Sequence, residues 1–245
     1  MFPDDPAATV GILLILLLAL SWHEAAHAWV ADRLGDPTAR MLGRVTLNPL
    51  KHLDPFLSVI LPALMYYAAG VAIGGGKPVP INVMNFRHRA RDFMLVALAG
   101  PGSNLLLAAF FALMFIVSSW MGWLGTVTVP NPYGEPHVFT PTFGPWNDYT
   151  TVSELWLKVG VLVNLGLAAF NLLPIPPLDG SRVIGWVLPR AIQPRWYALD
   201  RLGFLVIIVL FFGFGGFKYI GTGLVMMFNG ASFAIDQVLD LKPLV

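Results

Sequence analysis

The 245-residue chain contains no cysteine, which excludes disulfides and thiolate metal ligands; a metal held by this protein must take histidine, aspartate or glutamate. Charge is also scarce. Only 12% of the residues are Asp, Glu, Lys or Arg, against roughly 25% in a typical soluble domain. The 15 basic and 14 acidic residues nearly cancel, and no basic tail or stripe is present. That excludes the electrostatic footprint of a nucleic-acid binder. Long polar sequence is missing too. Residues 121–153 form the largest polar stretch, are too short for an appended domain, and contain no Lys or Arg. No internal repeat is visible.

What is present is apolar: 56% of the residues are hydrophobic and the mean hydropathy is +0.69. This is the composition of an all-α polytopic membrane protein. A spanning helix needs about 20 mostly apolar residues, and segments 7–31, 56–73, 93–120, 155–173 and 201–229 approach that length. The N-terminal run lacks the basic flank of a signal peptide, and its apolar pattern continues to Val30, so 7–31 is expected to be a retained span. Gly213, Gly215 and Gly216 interrupt the last segment, which can be one C-terminal helix or two.

Charge distribution bears on topology. Loop 32–55 carries Arg33, Arg40, Arg44 and Lys51; loop 74–92 carries Lys77, Arg87, Arg89 and Arg91; segment 174–200 carries Arg182, Arg190 and Arg195. If 56–73 crosses the membrane, these basic loops fall on opposite sides. If it dips in and returns, all of them share one side, as the positive-inside rule requires. Pro62 and the run Gly74-Gly75-Gly76 suit such a re-entrant element, and non-helical backbone at that depth needs protein or a wet cavity around it.

His23-Glu24-Ala25-Ala26-His27 is an H-E-x-x-H sequence inside the first apolar segment. On a helix, positions i and i+4 share one face about 6 Å apart along the axis, so two imidazoles can reach one zinc while the glutamate holds a water. Ionisable groups inside a membrane helix usually mark function; the alternative is an inert motif just past the helix end, beside the interfacial Trp22. Catalytic zinc takes three protein ligands and keeps one position open. Glu135 and Glu154 lie in or beside the loop on the opposite side and are poor third ligands. Asp179 closes the run from Asn171 through Pro174, Pro176 and Pro177 to Gly180. The prolines break the helix and Gly180 allows a close turn, so the aspartate can fold back to the metal; a solvated Asp-Gly turn after a helix stop is the plain alternative.

The pairing of His23-Glu24-Ala25-Ala26-His27 with Asn171…Pro174…Pro177-Leu178-Asp179-Gly180 resembles the site-2 protease family of intramembrane zinc metalloproteases. Ala99-Gly100-Pro101-Gly102-Ser103-Asn104 resembles that family's G-x-x-x-N motif. Gly43–Pro49 and Gly76–Asn82 resemble its compact prokaryotic subgroup, which lacks PDZ and CBS domains. The resemblance implies one membrane-embedded protease domain over 1–245. Its three-helix core comprises about 7–31, 93–120 and 155–173, with a membrane-associated β or re-entrant element over 32–92 and C-terminal helices over 201–229. It implies one Zn2+ per chain on His23, His27 and Asp179, with Glu24 as general base. It also implies transmembrane protein or peptide substrates in a lipid environment, and a prokaryotic inner membrane with the site towards the cytoplasm.

Asn104 and Asn171 are candidates to bind substrate backbone or an oxyanion, or else to glue helices together. His52 and Asp54 are candidates to support a zinc ligand or touch substrate, or else are interfacial polar residues. A buried peptide bond must be offered unwound, and Val45-Thr46-Leu47 is expected to be a short strand, with an edge available to such a segment. A proton or metal transporter or channel is the rival function, since buried His, Glu and Asp beside broken helices suit that class too.

Overall fold

A computed structural model describes residues 6–60, 75–124, 127–129, 137–139, 152–203, 205, 209 and 216–239. Helices α1 (Pro6–Arg33), α3 (Arg89–Trp120) and α4 (Val152–Asn171) correspond to the expected core, with ends displaced by a few residues. Between α1 and α3 lie the short α2 (Thr38–Met41), 3-10 turns at Pro49–Lys51 and Val83–Asn85, and a π-helical turn at Pro55–Ile60. After α4 come α5 (Gly180–Val187), α6 (Gln193–Ala198) with a 3-10 extension Leu199–Leu202, and α7 (Gly216–Leu239). Three helices among the described residues are long and apolar enough to cross a membrane: Leu13–Arg33, Arg89–Trp120 and Val152–Asn171. They satisfy their backbone internally, as lipid demands. Their outward side chains, among them Leu14, Leu18, Leu106 and Phe110, are exposed. Such exposure is a liability in water and the natural surface for lipid.

The chain divides into two compact units. One comprises Leu17–Asn104 and Leu167–Phe217. Its core is Ala31, Phe86 and Val96, packed by Val30, Ile81 and Phe93. Here α1 ends in a Schellman motif: Asp36 N donates to Ala31 O at 2.9 Å and Gly35 N to Asp32 O at 3.3 Å. Gly35 sits at φ +110°, which a side chain would strain. Asp36 then fastens the chain that returns to α3. It is fully buried and accepts from Thr38 Oγ1 at 2.5 Å, Asn82 N at 2.7 Å and Asn85 Nδ2 at 2.8 Å. The other unit comprises Met1–Leu16, Leu105–Gly166 and Lys218–Val245. It has a core of Phe115, Leu124, Val161 and Ile235, and a second cluster of Ile15, Leu155 and Val159. Lys158 and Glu154 pair at 2.8 Å inside it.

The expected strand at Val45–Leu47 needs correction. Among the described residues of 32–92 there is no strand, and Val45–Leu47 forms a bend. Gly43 turns the chain at φ +64°, and Asn48 caps the 3-10 turn that Pro49 opens, accepting from Leu50 N at 3.0 Å. Local turn chemistry therefore overrides the β propensity of three residues. Strands appear instead between α3 and α4, where β1 (Val127–Val129) pairs antiparallel with β2 (His137–Phe139) in the register Val127↔Phe139. The re-entrant segment lies largely outside the described residues, as does the stretch that decides between one and two C-terminal helices; α7 itself runs on past 229 to Leu239.

Burial alone pushes the Asp36 carboxyl up, but the hydrogen bonds from Thr38, Asn85 and the Asn82 amide outweigh it and hold it below the ordinary carboxylate range. A depressed carboxylate stabilises the fold above its unfolded pKa and loses that contribution as pH falls through the folded value. Asp36→Asn is therefore expected to cost about 1–3 kcal/mol in detergent unfolding at neutral pH. The gap from wild type should narrow below about pH 4.

Candidate metal centre

The unit that contains His23 also contains Glu24, His27, Asn104, Asn171, Asp179 and Arg182. His23 and His27 lie one turn apart on α1, both almost fully buried, with rings edge to face at a centroid distance of 4.6 Å. Their Nδ1 atoms are both occupied. His23 Nδ1 donates to Asn104 Oδ1 at 2.6 Å, and His27 Nδ1 donates to Val96 O at 2.7 Å. The Asn104 amide is itself oriented, since its Nδ2 donates to Ala19 O at 3.2 Å. Each neutral ring thus carries its proton on Nδ1 and presents a bare Nε2, the arrangement that a metal-binding histidine needs.

Asp179 is brought to the same point by a local break. The chain leaves α4 at Asn171 and turns through the prolines, with Ile175 N donating to Leu173 O at 2.8 Å and Leu178 N to Ile175 O at 2.8 Å. Gly180 packs onto this turn so closely that a Cβ would lie 2.5 Å from Leu173 O. Asp179 precedes α5 at the N-cap position, where an aspartate normally spends its carboxylate on the first amides. Here the residue has helical φ and ψ and makes no capping bond. Its Oδ2 points instead at the histidines, 3.2 Å from His23 Nε2 and 3.3 Å from His27 Nε2.

Two bare imidazole nitrogens 3.0 Å apart and a buried carboxylate oxygen with no hydrogen-bond partner thus converge. Tetrahedral zinc with bonds of about 2.0–2.1 Å spaces its N and O ligands about 3.3 Å from one another, so the donor set and its spacing fit zinc. His23, His27 and Asp179 form a group that could hold a metal ion. Helix α3 comes close to this group because residue 100 is glycine: a Cβ there would lie 2.6 Å from His23 Nε2.

A cavity of about 550 Å³ opens at this group, lined by Glu24, Asn171, Arg182 and apolar residues such as Val79, Ile81 and Phe170. Its wall beside Glu24 is the irregular stretch from Gly75, where a Cβ on Gly76 would stand 3.2 Å from Glu24 Cγ. Three bonds hold this wall: Lys77 N to His52 O at 2.7 Å, Arg44 Nη2 to Lys77 O at 2.6 Å, and Ser58 Oγ to Gly75 O at 2.8 Å.

The remaining sequence candidates are placed as follows. Asn104 does not line the cavity and stands behind His23. Asn171 does line it, with Nδ2 donating to Leu167 O at 2.9 Å. His52 is buried with Nε2 donating to Thr46 O at 2.7 Å, and Asp54 Oδ1 accepts from Phe56 N at 2.9 Å; neither lines the cavity. Glu154 is paired with Lys158 in the other unit, and Glu135 lies outside the described residues. Arg182 was not anticipated, although a lone cation three residues after Asp179 in an apolar stretch was a signal that could have found it.

The family model described as peptidase family M50 matches residues 11–214. YwhC of Bacillus subtilis strain 168, named provisionally as a zinc metalloprotease, is 34% identical over 202 residues, covering 82% of this chain and 79% of that protein. Rip2 of Mycolicibacterium smegmatis, named in the same way, is 31% identical over 211 residues, covering 84% of this chain and 69% of that protein. No solved structure matches the chain.

Asn104→Ala removes the acceptor that fixes His23 and is expected to weaken zinc binding about 10–100-fold in chelator competition. Gly100→Ala, which drives a methyl group into the two imidazoles, should weaken it at least as much.

Proposed function

The chain belongs to peptidase family M50, the site-2 proteases, and from that premise we propose that His23, His27 and Asp179 hold its zinc and that Glu24 is the general base. The protein is an integral membrane zinc metalloprotease. The observation that carries the residue assignment is the convergence of two bare Nε2 atoms and an unpartnered carboxylate oxygen beside Glu24.

Zinc, when bound, supplies Lewis acidity, which acidifies water and polarises a carbonyl. Glu24 faces the cavity on the next residue after His23, so its carboxylate can take a proton from the attacking water. The water oxygen bonds to the scissile carbonyl carbon. Glu24 then passes the proton to the amide nitrogen as the C–N bond breaks, leaving a carboxylic acid and an amine, which become a carboxylate and an ammonium by proton exchange. Asn171 is the cavity-lining amide placed to donate to substrate. Asn104, behind His23, orients a ligand rather than the substrate.

The bond cut lies within or near a transmembrane segment of another membrane protein, as in regulated intramembrane proteolysis. The site lies among helices apolar enough to span a bilayer, and its cavity walls are mainly apolar. A wound helix hides its carbonyls, so the substrate must lie extended. Lys77 turns both its amide and its carbonyl towards His52 and Arg44. Strand-like alternation at Lys77 would face the Gly76 groups the other way, where a substrate strand could pair with them. With 56–73 re-entrant, the basic loops share one side, which supports an orientation with the site towards the cytoplasm across an inner membrane. A single protease domain accounts for the whole chain. The transporter alternative is not favoured, since the family and the named relatives are peptidases.

Glu24→Gln is expected to keep its zinc and lose cleavage of a reconstituted membrane substrate by about 10²-fold or more. Substantial residual cleavage with zinc retained would remove Glu24 from the role of base.

A further inference from the structure

Among the described residues that line the cavity, Arg182 is the one Lys or Arg. It is held by one carboxylate and two aromatic rings. Its Nη1 donates to Asp200 Oδ2 at 2.5 Å. Its Cζ lies 5.1 Å from the centre of the Phe93 ring and 5.6 Å from that of Tyr197. The two rings also touch each other, with centroids 6.2 Å apart. Tyr197 is fixed in turn against Gly185, where a Cβ would stand 2.6 Å from its Cζ, and neighbouring Trp196 donates through Nε1 to Ser181 O at 2.8 Å. Four elements therefore converge on one guanidinium: α3 through Phe93, α5 through Arg182, α6 through Tyr197 and the 3-10 extension through Asp200.

A guanidinium has five N–H donors in a planar fork. Among the described residues its hydrogen-bond partner is Asp200 alone, so Nε and Nη2 remain available at the cavity rim. An extended peptide entering this cavity brings carbonyls stripped of their intrahelical bonds, and an unpaired carbonyl among apolar side chains is costly. We propose that Arg182 is a substrate-binding residue that donates to a backbone carbonyl of the extended segment near the scissile bond. Asp200, Phe93 and Tyr197 act as positioning residues that hold the fork in place. Because Asp200 already neutralises its charge, Arg182 suits a neutral carbonyl better than an acidic side chain. A partly buried, neutralised pair selects for hydrogen-bond geometry more than for net charge.

The proposal rests on the metal-site reading above, and hydroxamate binding separates the two. The probes are acetohydroxamate, which engages the metal alone, and a hydroxamate extended by two leucine residues, which adds peptide carbonyls. Wild type should bind the extended probe more tightly. Arg182→Met should keep its zinc and its affinity for acetohydroxamate while losing about tenfold or more for the extended probe. Arg182→Lys keeps the charge but not the planar fork, and should lose most of the same increment. Unchanged affinity of Arg182→Met for the extended probe overturns the proposal. So does a parallel loss for both probes, which would make Arg182 a support of the metal site. Markedly tighter binding of a probe with aspartate as its outer residue, abolished by Arg182→Met, would make Arg182 a reader of acidic side chains and overturn the carbonyl assignment. A zinc-loaded wild type that binds neither probe contradicts the metal-site reading and this proposal together.

Discussion

Three acceptors forced to one point inside an apolar interior are the constraint on which the rest of this structure depends. His23 Nε2, His27 Nε2 and Asp179 Oδ2 lie 3.0–3.3 Å from one another, with both imidazole protons committed elsewhere. In an apolar interior such a cluster needs a positive charge at its centre, whether a metal ion or a proton on an imidazole. Much of the surrounding sequence serves to hold it. Asn104 and the Val96 carbonyl fix the ring tautomers, Gly100 lets α3 approach, and the proline-broken end of α4 swings Asp179 out of its capping role. In the reading proposed above, zinc would turn that cluster into a cofactor site, as befits a member of a metalloprotease family.

The same logic extends outwards from Glu24. Its carboxylate faces a cavity whose near wall is backbone, because Gly76 leaves no room for a side chain between them. That wall does not belong to a sheet among the described residues; it is suspended from His52, Arg44 and Ser58. Arg182, also in the cavity lining, is gripped by two aromatic rings and Asp200. Polar side chains among the described residues that line the cavity are few, which suits chemistry that requires a peptide to give up its own hydrogen bonds before it can react.

What could be read from the sequence was what local geometry dictates. The core helices follow from apolar length. The proximity of His23 and His27 follows from helical repeat, and the return of Asp179 from the Pro and Gly residues around it. What could not be read depends on register between distant segments. Asn104 stood out as a polar residue in an apolar helix, but only the packing of α3 on α1 places it behind His23 instead of in the cavity. His52 was singled out for its chemistry, yet its contribution to the cavity wall is largely a backbone carbonyl, which no side-chain pattern records. Val45–Leu47 carried β propensity that the neighbouring Gly43 and Asn48-Pro49 turns defeat, while strands formed in the loop beyond α3. Arg182 becomes meaningful only once Phe93, from a helix far earlier in the chain, is seen beside it.

The most direct test is the zinc content per chain, by elemental analysis, of detergent-purified wild type and Asp179→Ala prepared side by side. A three-ligand centre built from α1 and the turn after α4 predicts about one zinc per wild-type chain and a large loss in the variant. Equal zinc in the two proteins would contradict that account, leaving the histidines as ligands but removing Asp179 from the site.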